Sequence, residues 1–361
     1  MKQTKSHEYK LTFDEVRYRQ ALPIEIKEAM SRQRIRDFVN EYGEENIAVC
    51  YSGGIDSVFA LAFARKYYPK IKAISVIGIE CKQNIELIQK TENVEIVPLK
   101  YSQQQIIDKF GYPVVSKKTA KAIQRLQNPS EKNKKSRELA LTGITSQGRK
   151  ASSYKLANKW RFLVEAPFQI SAKCCYYMKE TALQNYAKEK KYSTIVATIA
   201  EESKERMDGY ARRGCTTFGK LGYSTPFAFW TKQDILRWIV NEKIEISKAY
   251  GEIKEKDGVL YTTKADRTGC PICMFGMQYD KEPNRFQIMY YDNFRAWKKA
   301  IFLMNYKTVL DFFQKNTKGN YKYLPQEIEE MGDKNEILKI LEKEEKPLTA
   351  EEVRKIWNHA K

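Results

Sequence analysis

A short apolar run, Ile47-Ala48-Val49-Cys50-Tyr51, ends in Ser52-Gly53-Gly54-Ile55-Asp56-Ser57, and a helical pattern starts at Asp56 and runs to Tyr68. This junction constrains the fold more than any other feature of the chain. An apolar run of this length that stops at a glycine turn predicts a buried strand. Val58, Leu61, Ala62 and Arg65 then keep helical register. The alternation continues with a strand over 71–79, a helix over 83–91, a strand over 94–99, a helix over 178–190 and a strand over 194–199. Strands and helices at this spacing predict an α/β fold built on a doubly wound parallel sheet. Helices are also predicted over 23–43 and, with Ile235, Trp238 and Ile239 on one face, over 231–240.

The turn itself has the chemistry of an anion site. Two glycines let backbone N–H groups approach phosphate oxygens, and the helix that follows points its positive end at the same place. Ser52 and Ser57 add hydroxyl donors. Asp56 is out of place in a pure anion site, so it either caps the helix or orients a metal-bound pyrophosphate. No Gly-Lys-Ser/Thr follows, which separates this turn from the lysine-bearing nucleotide loop. The plain alternative is a strand–turn–helix junction with no ligand.

Composition narrows the chemistry further. The chain's only histidines are His7 and His359, near its two ends. A Ser-His-Asp triad, a Cys-His dyad or a His-ligated zinc enzyme needs a histidine inside the folded body. Chemistry here falls to Cys, Asp/Glu, Lys/Arg, a nucleotide or a non-His metal site. The first twenty residues show no apolar signal region and no stretch is long enough to span a membrane, so a cytoplasmic protein with reduced thiols and no membrane partner is expected.

The net charge of the 361 residues is +19. It is concentrated: residues 101–160 hold 13 Lys/Arg against 3 Asp/Glu, whereas the tail from Asp311 holds 10 against 11. We therefore expect a loosely ordered lead-in over 1–22 and an α/β domain over 23–280. That domain carries a basic insertion at 101–160, helical over 117–127 and a mobile loop beyond. A helical C-terminal extension covers 281–361. Lysines and arginines with Tyr154 and Trp160 among them suit an unpaired nucleic-acid strand; a solvated loop is the bland alternative.

Four of the seven cysteines form two pairs, Cys174-Cys175 and Cys270-x-x-Cys273. Four thiolates suit a soft metal or an iron–sulfur cluster. Adjacent cysteines diverge and suit two irons of one cluster better than one zinc. A zinc site, a dithiol redox pair at Cys270/Cys273 and separately buried thiols remain open on spacing alone. Of the others, Cys50 reads as core and Cys81 as a buried residue at the ligand end of the second strand. Cys215 follows Arg212-Arg213-Gly214, where cations would favour a thiolate.

Ser52-Gly53-Gly54-Ile55-Asp56-Ser57 resembles the SGGxDS loop of the PP-loop (adenine nucleotide alpha-hydrolase) superfamily. Its members bind ATP or an adenylyl compound. Many cleave ATP between the α and β phosphates, adenylate a substrate oxygen and let a sulfur or nitrogen nucleophile displace AMP. Cys-Cys followed some 95 residues later by Gly-Cys-x-x-Cys is similar to the [4Fe–4S] set of adenylyl-sulfate reductases in the phosphoadenosine phosphosulfate (PAPS) reductase family. The DNA phosphorothioation sulfurtransferase has similar cysteines. The strings Ala200–Arg206, Pro226–Thr231 with Asp234-Ile235, and Leu260-Tyr261 with Arg267-Thr268-Gly269-Cys270 agree, so the likeness runs from about Ile47 to Met277. The family's reductases carry a catalytic cysteine in a C-terminal Glu-Cys-Gly, yet no cysteine follows Cys273 here. In this respect, and in Glu282–Phe286, the chain looks more like PAPS-reductase-like proteins of phages and mobile elements.

The resemblance implies ATP or an adenylyl nucleotide, with Mg2+, held by Ser52, Gly53, Gly54, Asp56 and Ser57. Glu202 and Arg206 would contact the nucleotide or its metal, and Arg267 would lie beside the phosphates or the cluster. A [4Fe–4S] cluster would sit on Cys174, Cys175, Cys270 and Cys273. Asp56 and Cys215 are the candidate catalytic residues. The expected activity is activation of a substrate, DNA or RNA among the candidates, for sulfur transfer from a donor protein. Two alternatives stand beside it: reduction of adenylyl sulfate or its 3′-phosphorylated form through Cys215 or an external thiol, and nucleic-acid binding without turnover.

Overall fold

The structure, a computed structural model, describes residues 10–360, without the side chains of His359 and Ala360. His7 and the first nine residues of the expected lead-in lie outside the described residues. Ten strands are described: β1 (Ile47–Cys50), β2 (Lys72–Ser75), β3 (Val94–Ile96), β4 (Val114–Val115), β5 (Ser193–Ile195), β6 (Thr216–Thr217), β7 (Tyr223–Ser224), β8 (Ile253–Lys256), β9 (Val259–Thr262) and β10 (Met274–Phe275). The chain divides into two units. One comprises 1–100 and 179–269, the other 101–178 and 270–361.

The first unit is built on a six-stranded sheet in the order β3-β2-β1-β5-β7-β6. All neighbours are parallel except the β6–β7 edge pair. Successive strands step outward from β1 in one direction and then, from β5 onward, in the other. Such a reversal opens a crevice beyond the carboxyl ends of the two strands at the switch point, here β1 and β5. Ile47, Ala48 and Val49 are fully buried, as a parallel strand covered on both faces requires.

The helix Ile55–Tyr67 follows β1 and packs into an aromatic core. Phe59 lies 4.7 Å from both Phe227 and Trp230 and 5.1 Å from Trp238, ring centre to ring centre. Lys27 is buried at the edge of this core. Its Nζ donates to Asp234 Oδ2 at 2.6 Å and to the Gln20 carbonyl at 2.6 Å. The same Asp234 oxygen closes a capping box with Thr231 at the start of the helix Lys232–Asn241. Within the segment expected as a lead-in, Thr12 caps a helix over Phe13–Gln20 and Val16 is fully buried.

The second unit is mainly helical. Its core gathers Trp160, Ile170, Phe286, Tyr290, Trp297, Tyr306, Phe313 and Trp357. The segments 101–160 and 281–361, expected as separate attachments, both contribute to it. The helix expected over 117–127 is present as Lys117–Gln127. Beyond it, where a mobile loop is expected, lies a further helix, Lys134–Thr142. Its polar sequence is an exposed face; the anchor is Ala140, buried, whose carbonyl accepts from Leu156 N–H at 2.7 Å. β4 and β10 pair in parallel, with Met274 opposite Val114.

Candidate nucleotide site and cysteine set

The loop after β1 is tightly braced. Ser52 N–H donates to Ser57 Oγ at 3.1 Å, and Ser57 Oγ donates to the Gly54 carbonyl at 2.8 Å. Gly53 has φ +68°, and a Cβ on it would lie 2.9 Å from the Asn84 carbonyl oxygen, so the position admits only glycine. Asn84 is fully buried and donates to the Ser52 carbonyl at 3.2 Å and to Thr268 Oγ1 at 3.0 Å. Tyr250 OH lies 2.9 Å from Thr268 Oγ1 and accepts from Ile55 N–H at 3.3 Å. Asn84, Tyr250 and Thr268 thus hold the loop from outside, each from a distant part of the sequence. Thr268 stands in the Arg267–Cys270 string; Asn84 and Tyr250 carry no local signal.

Asp56 opens the helix that the loop feeds, and its Oδ1 is buried without a hydrogen-bond partner. Burial pushes its carboxyl above the usual range, while Lys232, Arg267 and Arg206 pull the other way. Those cations are held in place. Glu202 pairs with both Arg206 and Arg267. Lys232 Nζ donates to the Asp266 carbonyl at 2.8 Å. Arg206 sits one turn into a helix capped by Ser203, whose Oγ accepts from Arg206 N–H at 3.2 Å. Asp56, Glu202, Arg206 and Arg267 therefore share one charged neighbourhood, together with Lys232, which the sequence does not single out. A buried, unpartnered carboxylate oxygen ringed by three cations is costly unless a ligand completes it.

All four paired cysteines belong to the second unit. None of the chain's seven cysteines is disulfide-bonded. Burial pushes the Cys174 thiol well up, and Cys270, Cys175 and Cys273 add to the effect. Cys273 is pushed up to about 12 by burial, then by Cys270 and Cys175. Cys174 and Cys273 are thus each within electrostatic reach of Cys175 and Cys270. Cys270 Sγ accepts from Gln103 Nε2 at 2.9 Å, and Cys273 Sγ from Phe275 N–H at 3.4 Å. Arg285, in a two-pronged pair with Asp280, donates to the Cys273 and Phe275 carbonyls and fixes the turn after the Cys-x-x-Cys. Among the described residues, no group of three or more His, Cys, Asp or Glu side chains is arranged to hold a metal ion.

The phosphoadenosine phosphosulfate reductase domain family matches residues 46–274, a span that includes the loop after β1 and both cysteine pairs. The chain belongs to this family. The family binds a nucleotide, and the chain is an enzyme of the PP-loop or PAPS-reductase-like kind. A crystal structure of phosphoadenylyl-sulfate (PAPS) reductase from Candida auris in a phosphate complex is similar at 11% identity and a TM-score of 0.34, covering 69% of this chain and 98% of that one. No curated protein matches the chain. No helix among the described residues is long and apolar enough to cross a membrane.

The remaining thiols, Cys50, Cys81 and Cys215, belong to the first unit. Cys50 ends β1, and burial pushes it up to about 12. Cys81 precedes the helix Lys82–Lys90 and is raised, mainly by burial. Cys215 precedes the edge strand β6, with β7 and β5 standing between that strand and β1. It is 8% exposed, and burial raises its thiol against the opposing pull of Arg34, Tyr210 and Arg19. Of the cations expected beside it from the sequence, Arg212 pairs with Asp208 at 2.8 Å instead.

Proposed function

We propose that this PAPS-reductase-family enzyme binds ATP or an adenylyl nucleotide on Ser52–Ser57 and activates a substrate for sulfur transfer. The observation that carries the reading is Asp56 Oδ1, buried and unpartnered beside Arg206, Arg267 and Lys232 at the switch point of the sheet. That donor suits Mg2+, a hard cation that takes carboxylate together with phosphate oxygens. Mg2+ bound there supplies charge neutralisation for the phosphates. The loop N–H groups and the Ser52 and Ser57 hydroxyls would hold the β and γ phosphates. A substrate oxygen attacks the α phosphorus, the bond to the bridging oxygen breaks, and pyrophosphate leaves. Arg206 and Arg267, held by Glu202, would meet the charge that develops on it. A sulfur nucleophile then displaces AMP from the activated substrate.

Cys174, Cys175, Cys270 and Cys273 would hold a [4Fe–4S] cluster. Four thiols without histidine suit iron–sulfur ligation, and the influence of Cys175 and Cys270 on both Cys174 and Cys273 supports the reading. The cluster, when bound, supplies a redox-active metal–sulfide centre. Gln103 and the Phe275 N–H would stabilise the thiolates as hydrogen-bond donors.

Nucleic acid is the substrate class favoured by the second unit. Tyr154 is 59% exposed with Lys118 Nζ 5.1 Å from its ring centre, and Tyr279 is 80% exposed. Exposed aromatics beside lysines suit unpaired bases. The reductase reading would assign the attacking thiol to Cys215 or to an external donor. The test is anaerobic purification with iron and sulfide analysis, then ATP binding and pyrophosphate release with single-stranded DNA or RNA. Iron near four per chain and nucleotide-dependent pyrophosphate release are expected. Zinc without iron would remove the cluster, and protein that binds no ATP would end the nucleotide reading. Sulfite release from adenylyl sulfate with thioredoxin, lost in Cys215→Ser, would move the assignment to a reductase.

A further inference from the structure

Outside the nucleotide loop, the first unit contains a second concave cationic site. A cavity of about 330 Å³ opens beside Cys215 and is lined by Lys10, Arg19, Arg34 and Arg213 on its charged side and by Leu11 and Phe218 on its apolar side. One carboxylate, Asp37, reaches the rim and accepts from Gln33 Nε2 at 2.6 Å. Among the described residues, no carboxylate forms an ion pair with Arg19, Arg34 or Arg213.

The guanidiniums are nonetheless positioned. Arg19 donates to Tyr210 OH at 2.9 Å. Arg34 donates to the Met30 carbonyl at 2.9 Å and lies 4.8 Å over the Phe229 ring. Arg213 Nη2 occupies the space where a Cβ on Gly209 would stand, at 2.9 Å. Glycine inside the helix Lys204–Arg213 weakens it relative to alanine, and the room it leaves is filled by this guanidinium. Lys10 is brought in by the neighbouring Leu11 N–H, which donates to the Ala211 carbonyl at 3.0 Å. Gly214, with φ +73°, turns the chain so that Cys215 enters the wall.

Like charges held together in a concavity repel one another, and a bound dianion removes the repulsion. Planar guanidiniums match phosphate oxygens two at a time. The volume exceeds one phosphate group and lies at the lower end of small-molecule pockets, and the apolar wall of Leu11 and Phe218 faces that extra room. We propose that this cavity is a binding site for a phosphate dianion carried on a small organic body, separate from the nucleotide loop. Arg19, Arg34 and Arg213 take the phosphate, and Leu11 and Phe218 take the body. The site goes beyond the nucleotide reading and does not depend on it.

Cys215 serves as the built-in reporter. Alkylation of the full-length protein with monobromobimane, located by peptide mass spectrometry, is followed with increasing inorganic phosphate or phenyl phosphate. Either ligand should slow Cys215 alkylation about tenfold at ten times its dissociation constant. A lower midpoint for phenyl phosphate supports the proposal; equal midpoints overturn the organic body assigned to Leu11 and Phe218. Arg34→Gln and Arg213→Gln should each raise the midpoint about tenfold or more, the usual loss of a charge-assisted contact. Arg213 is exposed, so its variant keeps the test alive should Arg34→Gln fail to fold. Ser52→Ala, in the nucleotide loop, should leave the midpoint where it is. If Cys215 proves unreactive, equilibrium dialysis of the same four proteins decides. No binding in the native protein, or an equal loss in Ser52→Ala, overturns the proposal.

Discussion

Asp56 is the residue on which the candidate nucleotide site turns, and its protonation has a sign that can be checked. Its folded-state carboxyl is raised, chiefly by burial. A raised acid binds its proton more tightly folded than unfolded, so between the unfolded and folded values stability falls as pH rises. Above that window the charged, buried group is a standing cost. Asp56→Asn should therefore stabilise the ligand-free protein at pH 7 by about 0.5–2 kcal/mol, read as a higher Tm, and the gain should shrink in acid. The same variant should lose metal-dependent pyrophosphate release. A lower Tm at pH 7 would contradict the account. Gly53→Ala should act oppositely, destabilising by more than about 1 kcal/mol and abolishing nucleotide binding in equilibrium dialysis, because the new methyl meets the Asn84 carbonyl. The loop was legible in the sequence because strand, turn and helix are contiguous. Its braces were not, since Asn84, Tyr250 and Thr268 reach it across long sequence separations and carry no periodic mark. For Cys215 the neighbouring arginines in the sequence mislead about its thiol: burial dominates, and the largest opposing influences are Arg34, Tyr210 and Arg19.

Elements with a clear apolar period were legible almost to their ends, as Ile24–Tyr42, Lys82–Lys90 and Lys232–Asn241 show. Strands came out shorter than their apolar runs: the run over 194–199 forms a strand only over Ser193–Ile195. Helix Lys134–Thr142 escaped because its polar composition hides a single buried alanine. Lys27 escaped for a related reason: a lysine in a helical pattern reads as surface, yet this one joins the helix Ile24–Tyr42 to the cap of Lys232–Asn241 through Asp234. Removing one partner of a buried ion pair leaves the other uncompensated, at about 3–5 kcal/mol. Lys27→Ala should cost that much in urea unfolding. The double variant Lys27→Met/Asp234→Leu should recover part of it, less the lost cap.

At the scale of the molecule, the localisation of charge in residues 101–160 was visible in the sequence, and the family match supports the α/β reading. The partition into units was not visible, because residues 101–178 and 270–361 share one core while lying 91 residues apart in the chain. If the second unit binds single strands through its basic face, log affinity should fall linearly with log salt. Lys118→Gln and Arg149→Gln should then each reduce the slope by about 0.7, as measured by fluorescence anisotropy with a labelled oligonucleotide. A slope that does not respond to these variants would move nucleic acid off this face.

The interleaving also has a consequence for birth on the ribosome. Synthesis runs from the N-terminus, and neither unit is contiguous. The sheet of the first unit waits for β5 and β7, and the apolar side chains of 101–178 wait longer still, until the segment from Cys270 onward has emerged. Cys174 and Cys175 are made some 95 residues before Cys270, so a half-made chain carries two thiols with no companions and an unfinished core. This is the interval in which a nascent chain of this design is most exposed to oxidation and to aggregation. Growth with slowed translation or under oxygen should lower the soluble yield through that interval, whatever the stability of the finished protein.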